Sequence, residues 1–260
     1  MNPVKKAIIS VITARGKLIE LKSFSTAPIY IGGCGRSGTT LLLSILSAHE
    51  EIFACPRELN LFFDAEVIDG DVHLPKIHRL YRTLFFQQIK RSANRYCEKS
   101  PANVQRIEVI DKHHKGNFKL IHIIRDGRDV ILSKHPTRKE EYWVEPSRWV
   151  RDVNMGLAQK DHPGVHTIRY EDLINEFENT IEGICGFLDI PLSNEILNWH
   201  QYTTVRKNRA LYSPIQQISN SSIGKFTHLE NRERLAVFME DEEAVALLEE
   251  LGYKVSGVMG

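Results

Sequence analysis

The chain has 260 residues, 42% hydrophobic and 26% charged, with a formal net charge of +1. That length fits one α/β domain with a sizeable core, and the near-zero charge argues against a general nucleic-acid binder, which would carry a strong basic excess. No run of 18 apolar residues offers a transmembrane helix, and four cysteines without a CxxC, beside eleven histidines without zinc-ligand spacing, point away from a metal site.

In chain order, residues 1–27 read as a lead-in, with a short strand at 17–22. Lys5-Lys6 and the apolar stretch from Ala7 to Ala14 only faintly mimic a signal peptide, because Arg15 and Lys17 follow at once. The chain therefore reads as a cytoplasmic enzyme. From residue 28 to 260 a single domain is expected, in which short apolar runs alternate with amphipathic segments. That alternation predicts an α/β fold with a central parallel sheet flanked by helices. Strands are expected at 29–32, 52–55, 95–99, 119–124 and 164–169, and helices at 41–48, 71–91, 103–114, 149–159 and 173–188. Residues 201–228 are polar with few apolar anchors and read as a long functional loop. The segment 229–251 reads as a helix or helix pair ended by Gly252.

Two stretches carry chemistry. The first, Gly32-Gly33-Cys34-Gly35-Arg36-Ser37-Gly38-Thr39-Thr40, joins the first strand to an apolar helix. Its glycines let the backbone come close to a ligand, and the helix start offers free N–H groups and a positive dipole end to an anion. It almost satisfies the Walker pattern, with Gly33, Gly38 and Thr40 in place. Thr39, however, stands where the Walker lysine belongs, and the loop cation is Arg36. An ATP-dependent kinase needs that lysine on its phosphates, so a phosphate-loop kinase is the rival reading and a non-catalytic nucleotide binder is another. The second stretch is a buried strand ending at Arg125, a turn at Asp126-Gly127, then a helix, with Ser133 eight residues on. Arg125 falls at the carboxyl end of its strand, where open α/β sheets bind ligands. Its guanidinium fork and the Ser133 hydroxyl can hold a second phosphate. A salt bridge from Arg125 to Asp126 or Asp129 is the competing use.

The two stretches together resemble the sulfotransferases that use 3′-phosphoadenosine-5′-phosphosulfate (PAPS), with a P-loop-like fold. The resemblance implies that Gly35, Arg36, Ser37, Gly38, Thr39 and Thr40 hold the 5′-phosphosulfate and that Arg125 and Ser133 hold the 3′-phosphate. Glu58, in Cys55-Pro-Arg-Glu58, and Lys99, in Cys97-Glu-Lys99, are similar to the acid–base glutamate and charge-stabilising lysine of tyrosylprotein and carbohydrate sulfotransferases. In those relatives the two flanking cysteines form a disulfide; here Cys55 and Cys97 also read as two ordinary buried thiols. Tyr170 looks like the tyrosine near the adenine, Ser213 like a serine that helps hold the transferring group, and Lys225 like a late lysine that reaches the donor's phosphates.

The function so implied is transfer of a sulfuryl group from PAPS to an acceptor hydroxyl, on a carbohydrate, lipid, small molecule or peptide tyrosine, releasing PAP without a metal. Where tyrosylprotein sulfotransferases carry arginines after the glutamate, this chain has Asn60, Leu61, Phe62 and Phe63. That difference predicts an apolar rim poorly suited to an acidic peptide. Acceptor choice is expected to reside in residues 59–92 and 135–148.

Overall fold

A computed structural model of the chain describes residues 3–135, 137–138, 140–205 and 220–255. The order of elements is α1 (Pro3–Ser23), β1 (Ile29–Gly32), α2 (Thr39–Leu46), β2 (Ile52–Ala54), a hairpin of β3 (Glu66–Ile68) and β4 (Asp71–His73), then α3 (Ile77–Phe86) and β5 (Arg95–Lys99). A 3-10 turn over Pro101–Arg106 leads into α4 (Ile107–His114), followed by β6 (Lys119–Ile124), α5 (Gly127–Ile131), α6 (Pro146–Leu157), β7 (Val165–Arg169), α7 (Tyr170–Asn175) and α8 (Phe177–Leu188). Two short helices, α9 (Asn194–Leu197) and α10 (Trp199–Tyr202), precede the final pair α11 (Arg232–Met239) and α12 (Glu242–Glu250).

Five strands pair in the order β2-β5-β1-β6-β7, all parallel. Their apolar runs are continuous because helices cover both faces. On β1, Ile29 and Ile31 enter the cluster that contains Leu42, Leu46, Ile181 and Leu188 of α2 and α8. Tyr30, pointing the opposite way, joins Phe62, Leu80 and Ile110. Beneath the β6 end a third cluster gathers Ile124, Val130, Trp149, Phe238 and Leu248 from α5, α6, α11 and α12. Every expected core strand forms, β2 and β7 each starting or stopping within one residue of the expected bounds.

Two expectations need correction. Residues 17–22 are the last turns of α1 and not a strand. Gly16 sits so close to α3 that an added Cβ would lie 2.1 Å from the Tyr81 carbonyl oxygen, and this packing against α3 accompanies a helix that runs on through the segment. The helix expected over 71–91 is shorter, because Asp69 and Gly70 both take positive φ, 51° and 90°. Such an Asp-Gly turn closes a two-residue hairpin, so Asp71–His73 returns as β4, and α3 starts just past Pro75, the residue from which the sequence reads as opening the helix.

The α1–α3 approach is testable. Gly16→Ala forces the two helices apart and should cost about 1–3 kcal/mol, the scale of an overpacked contact. An unchanged urea midpoint would show that α1 is not held at this distance.

Candidate active site

Parallel pairing turns all five core strands the same way, so their carboxyl ends form one edge. Along that edge, in sheet order, stand Glu58 beyond β2, Lys99 at the end of β5, the glycine loop after β1, Arg125 after β6 and Tyr170 after β7. Neighbouring strands lie about 4.8 Å apart. Lys99 is the register partner of Ile31, and His122 that of Gly32, so lysine, loop and Arg125 are neighbours across single strand steps.

The loop is a formed anion cradle. Gly38 caps α2 with φ 98°, no side chain caps the helix, and a Cβ on Gly38 would lie 2.4 Å from the Tyr170 ring. The first N–H groups of α2, from Thr39 and Thr40, thus remain for a ligand. Arg36 takes φ 75°, a left-handed conformation that costs a residue with a Cβ about 1–2 kcal/mol. The Arg125 Nη1 donates to the Arg36 carbonyl at 3.0 Å and holds that turn. Although Arg36 remains exposed, partial desolvation, and then the nearby Arg125 charge, lower its pKa from the ordinary value.

Arg125 itself is buried. Its guanidinium lies 4.5 Å from the Tyr170 ring centre and also donates through Nη2 to the Ser222 carbonyl. The Tyr170 and Ser222 hydroxyls meet at 2.6 Å. Among the described residues, Arg125 Nε and Ser37 Oγ are buried without a hydrogen-bond partner. Buried polar atoms are rarely left so, and these two are a donor and a hydroxyl facing the anion cradle. A doubly phosphorylated nucleotide fits that pattern.

The competing salt-bridge use of Arg125 is weak. Asp129 is 4.0 Å from it and spends its oxygens on the Gly224 and Phe226 N–H groups at 2.8 and 3.3 Å. Asp126 caps the Arg128 N–H and takes the Arg128 guanidinium through both oxygens. Lys225, exposed, lies between the two residues that Asp129 pins beside Arg125. Ser133 is not within the first turns of a helix as expected. The helix α5 stops at Ile131, and Ser133 follows it half-buried, its carbonyl accepting from Trp143. Ser213 lies outside the described residues.

At the other end of the edge, Lys99 is buried, 1% exposed, and its Nζ donates to Glu58 Oε1 at 2.5 Å. An ammonium has three donors, and Glu58 takes one. Glu58 is 41% exposed and so open to an incoming group. Its loop is fastened from below by a residue that sequence reasoning missed. Glu98 is fully buried and accepts from Leu59 N at 2.9 Å, Ser100 Oγ at 2.5 Å and Asn103 Nδ2 at 2.9 Å. Burial raises its pKa, against the pull of those bonds. Ser100 Oγ in turn accepts from Asn60 N, and Pro101 O accepts from Gly33 N. One strand end therefore ties the Glu58 loop to the anion loop. The signal available was an acidic residue between the cysteine and the lysine of Cys97-Glu98-Lys99, in a strand buried along its whole length.

Trp143 and Arg148 were also missed; both lie within 3.5 Å of a Cβ built on Gly35. Cys55 and Cys97 are free and buried, joined through their backbones by a Cys55 N–H to Cys97 O bond of 2.8 Å.

The chain is similar to several known proteins. The family described as "Sulfotransferase family" has a model that matches residues 28–72 and 61–194. A putative protein-tyrosine sulfotransferase of Caenorhabditis briggsae is 29% identical over 66% of this chain and 69% of its own length. Among solved structures, a sulfotransferase domain from the curacin biosynthetic pathway superposes with TM-score 0.53 at 19% identity, covering 89% of this chain and 99% of its own. A mouse sulfotransferase solved with PAP gives TM-score 0.52 at 18% identity, over 94% of this chain and 95% of its own.

Glu98 supplies the test of this geometry. Glu98→Ala strands three buried donors at about 1–3 kcal/mol each, whereas Glu98→Gln keeps an acceptor of the same shape. Urea denaturation should show a large loss for Ala and a smaller one for Gln; a wild-type midpoint in the Ala variant would mean the carboxylate holds nothing.

Proposed function

Because the chain belongs to the sulfotransferase family, whose members take PAPS as donor, we propose that Glu58 is its catalytic base and Lys99 its charge-stabilising cation. An acceptor hydroxyl enters beside Glu58, which takes the proton as the oxygen attacks the sulfur. The new oxygen–sulfur bond forms as the bond from sulfur to the bridging phosphate oxygen breaks, and that oxygen leaves with the electron pair on PAP. Lys99, one strand step from the loop, meets the charge that develops there. The loop N–H groups, Ser37, Thr39, Thr40 and Arg36 hold the 5′ end. Arg125 holds the 3′-phosphate through Nε and by exchanging the Ser222 carbonyl for phosphate oxygens, with Ser133 and Lys225 as further partners and Tyr170 as the platform. Ser213 remains the candidate for a second donor to the transferring group. The reading calls for no metal, because cations and backbone donors already face the charge.

The observation that carries the proposal is the short Glu58–Lys99 pair, joined through Ser100 and Pro101 to a loop that Arg125 grips on its other side. Base, cation and two anion sites thereby share one edge at single-strand spacing.

Two variants separate the chemistry from the grip. Glu58→Ala should slow sulfuryl transfer by roughly 10²–10⁴-fold, the usual contribution of a positioned base, while PAP affinity persists; loss of affinity along with rate would make Glu58 structural. Arg125→Ala should weaken PAP binding by about 1.5–3 kcal/mol, as for a lost charge-assisted bond. Calorimetry giving wild-type affinity would remove Arg125 from the donor site.

A further inference from the structure

The helix α1 carries apolar residues on two opposite faces. On one, Gly16 meets α3 and Ile19 packs on the core cluster behind it. On the other stand Ala7, Val11, Ala14, Leu18 and Leu21, spaced by four and three residues and all exposed. Val11 is 56%, Leu18 49% and Leu21 70% exposed. A surface helix ordinarily turns charged and polar residues outward. Here a continuous apolar row runs down the middle of the outer face, which is the arrangement that marks an interaction surface. Because α1 is held on α3 at Gly16, the row is presented by a fixed element.

Cations border the row on both sides. By helical position Arg15 and Lys22 flank one edge and Lys17 the other, and all three are exposed. Glu20, the sole carboxylate of α1, turns inward and bonds Tyr81 of α3. The outer face is therefore positive with no acid of its own helix to balance it, on a chain whose net charge is only +1. Steps of four and three also suit a coiled-coil seam, so a second copy of the chain is the first rival occupant. Whichever way two copies ran, however, the flanking lysines and arginine of one would face those of the other, and flanking charges decide such pairing. Two of the five seam positions are alanine, which gives a partner helix little to interlock with. A fluid apolar layer fills such dents, and lysine and arginine stems lie in it while their charges reach the headgroups.

We propose that the outer face of α1 docks on an anionic lipid surface, with the helix lying flat and its apolar row sunk among the acyl chains. Among the described residues no helix is long and apolar enough to cross a membrane, so α1 lies on the bilayer and does not span it. Apolar burial and attraction of the flanking cations to acidic headgroups act together there. The inference is independent of the donor chemistry at the sheet edge.

The full chain is sedimented with phosphatidylcholine vesicles and with mixed phosphatidylcholine–phosphatidylserine vesicles, at low and at physiological salt. It should bind the mixed vesicles in preference to the neutral ones, with affinity falling as salt rises. Leu21→Asp and Lys17→Glu should each weaken that binding by about tenfold or more, with the urea midpoint kept. Leu229→Asp, which adds the same charge at a leucine 72% exposed outside α1, should leave it unchanged. No binding to the mixed vesicles, equal binding to both kinds, or wild-type binding by both α1 variants overturns the proposal. A dimer in sedimentation velocity that Leu21→Asp abolishes gives the face to a second copy and overturns it too. The lipid and salt dependence of the unaltered chain decides the case even where a variant is destabilised, and PAP affinity on the same samples reports separately on the donor site.

Discussion

The parallel hydrogen bonding of β1 between β5 and β6 is the constraint on which the site depends. It sets Lys99 opposite Ile31 and His122 opposite Gly32, so the glycine loop must emerge between a buried lysine and a buried arginine. A slip of one residue in either pairing would reverse the face of every side chain on the slipped strand. It would send Lys99 away from Glu58, and Tyr30 or Ile31 into the wrong cluster. Register is strongly specified here because both faces of the sheet are apolar and covered, and the reacting groups inherit their spacing from that requirement.

On this frame the polar groups are linked in two buried bundles. Under Glu58, the Glu98 carboxylate gathers Leu59 N, Ser100 Oγ and Asn103 Nδ2; under Arg125, Asp129 gathers Gly224 N and Phe226 N. Burial raises the pKa of both carboxylates, which marks the cost of placing them there; bonds from Asn103, Ser100 and the Leu59 N–H offset it at Glu98, and the Arg125 charge with the Gly224 and Phe226 N–H groups offsets it at Asp129. Each buried acid shapes a loop, Glu98 the one that follows Glu58 and Asp129 the one that holds Lys225.

Much of this was legible because the relevant signals are local. The alternation of short strand-like segments with amphipathic ones gave all five core strands, and Gly33, Gly38 and Thr40 at loop spacing located the turn between β1 and α2. The misreadings share a physical cause. Residues 17–22 are too short a stretch to declare their own state, and they continue the helix that packs on α3 at Gly16 and Tyr81. Glu98 looked like one more polar residue at a strand end, since nothing local shows that the Leu59 N–H, 39 residues away, turns back onto it. The Asp69-Gly70 turn was a local signal, and it was hidden by the stronger helical stripe of α3 that follows.

Beside Glu58 lies a cleft of about 490 Å³ whose wall includes Arg57, Arg79 and Arg82, and it shows why position along the chain misleads about surface charge. The apolar rim expected from Asn60 to Phe63 does not form. The residues next after Glu58, Leu59, Leu61 and Phe62, turn inward because the loop is pulled down onto Glu98 and Ser100. The space above Glu58 is then lined from α3, about twenty residues further on, by a stripe whose opposite face is locked by Leu80 and Leu84. A buried carboxylate under the loop thus decides which part of the chain lines the cleft beside Glu58. The descent of the loop and the composition of the cleft wall are one structural event, since the loop cannot reach Glu98 and Ser100 without taking Leu59, Leu61 and Phe62 off the rim, which α3 then lines.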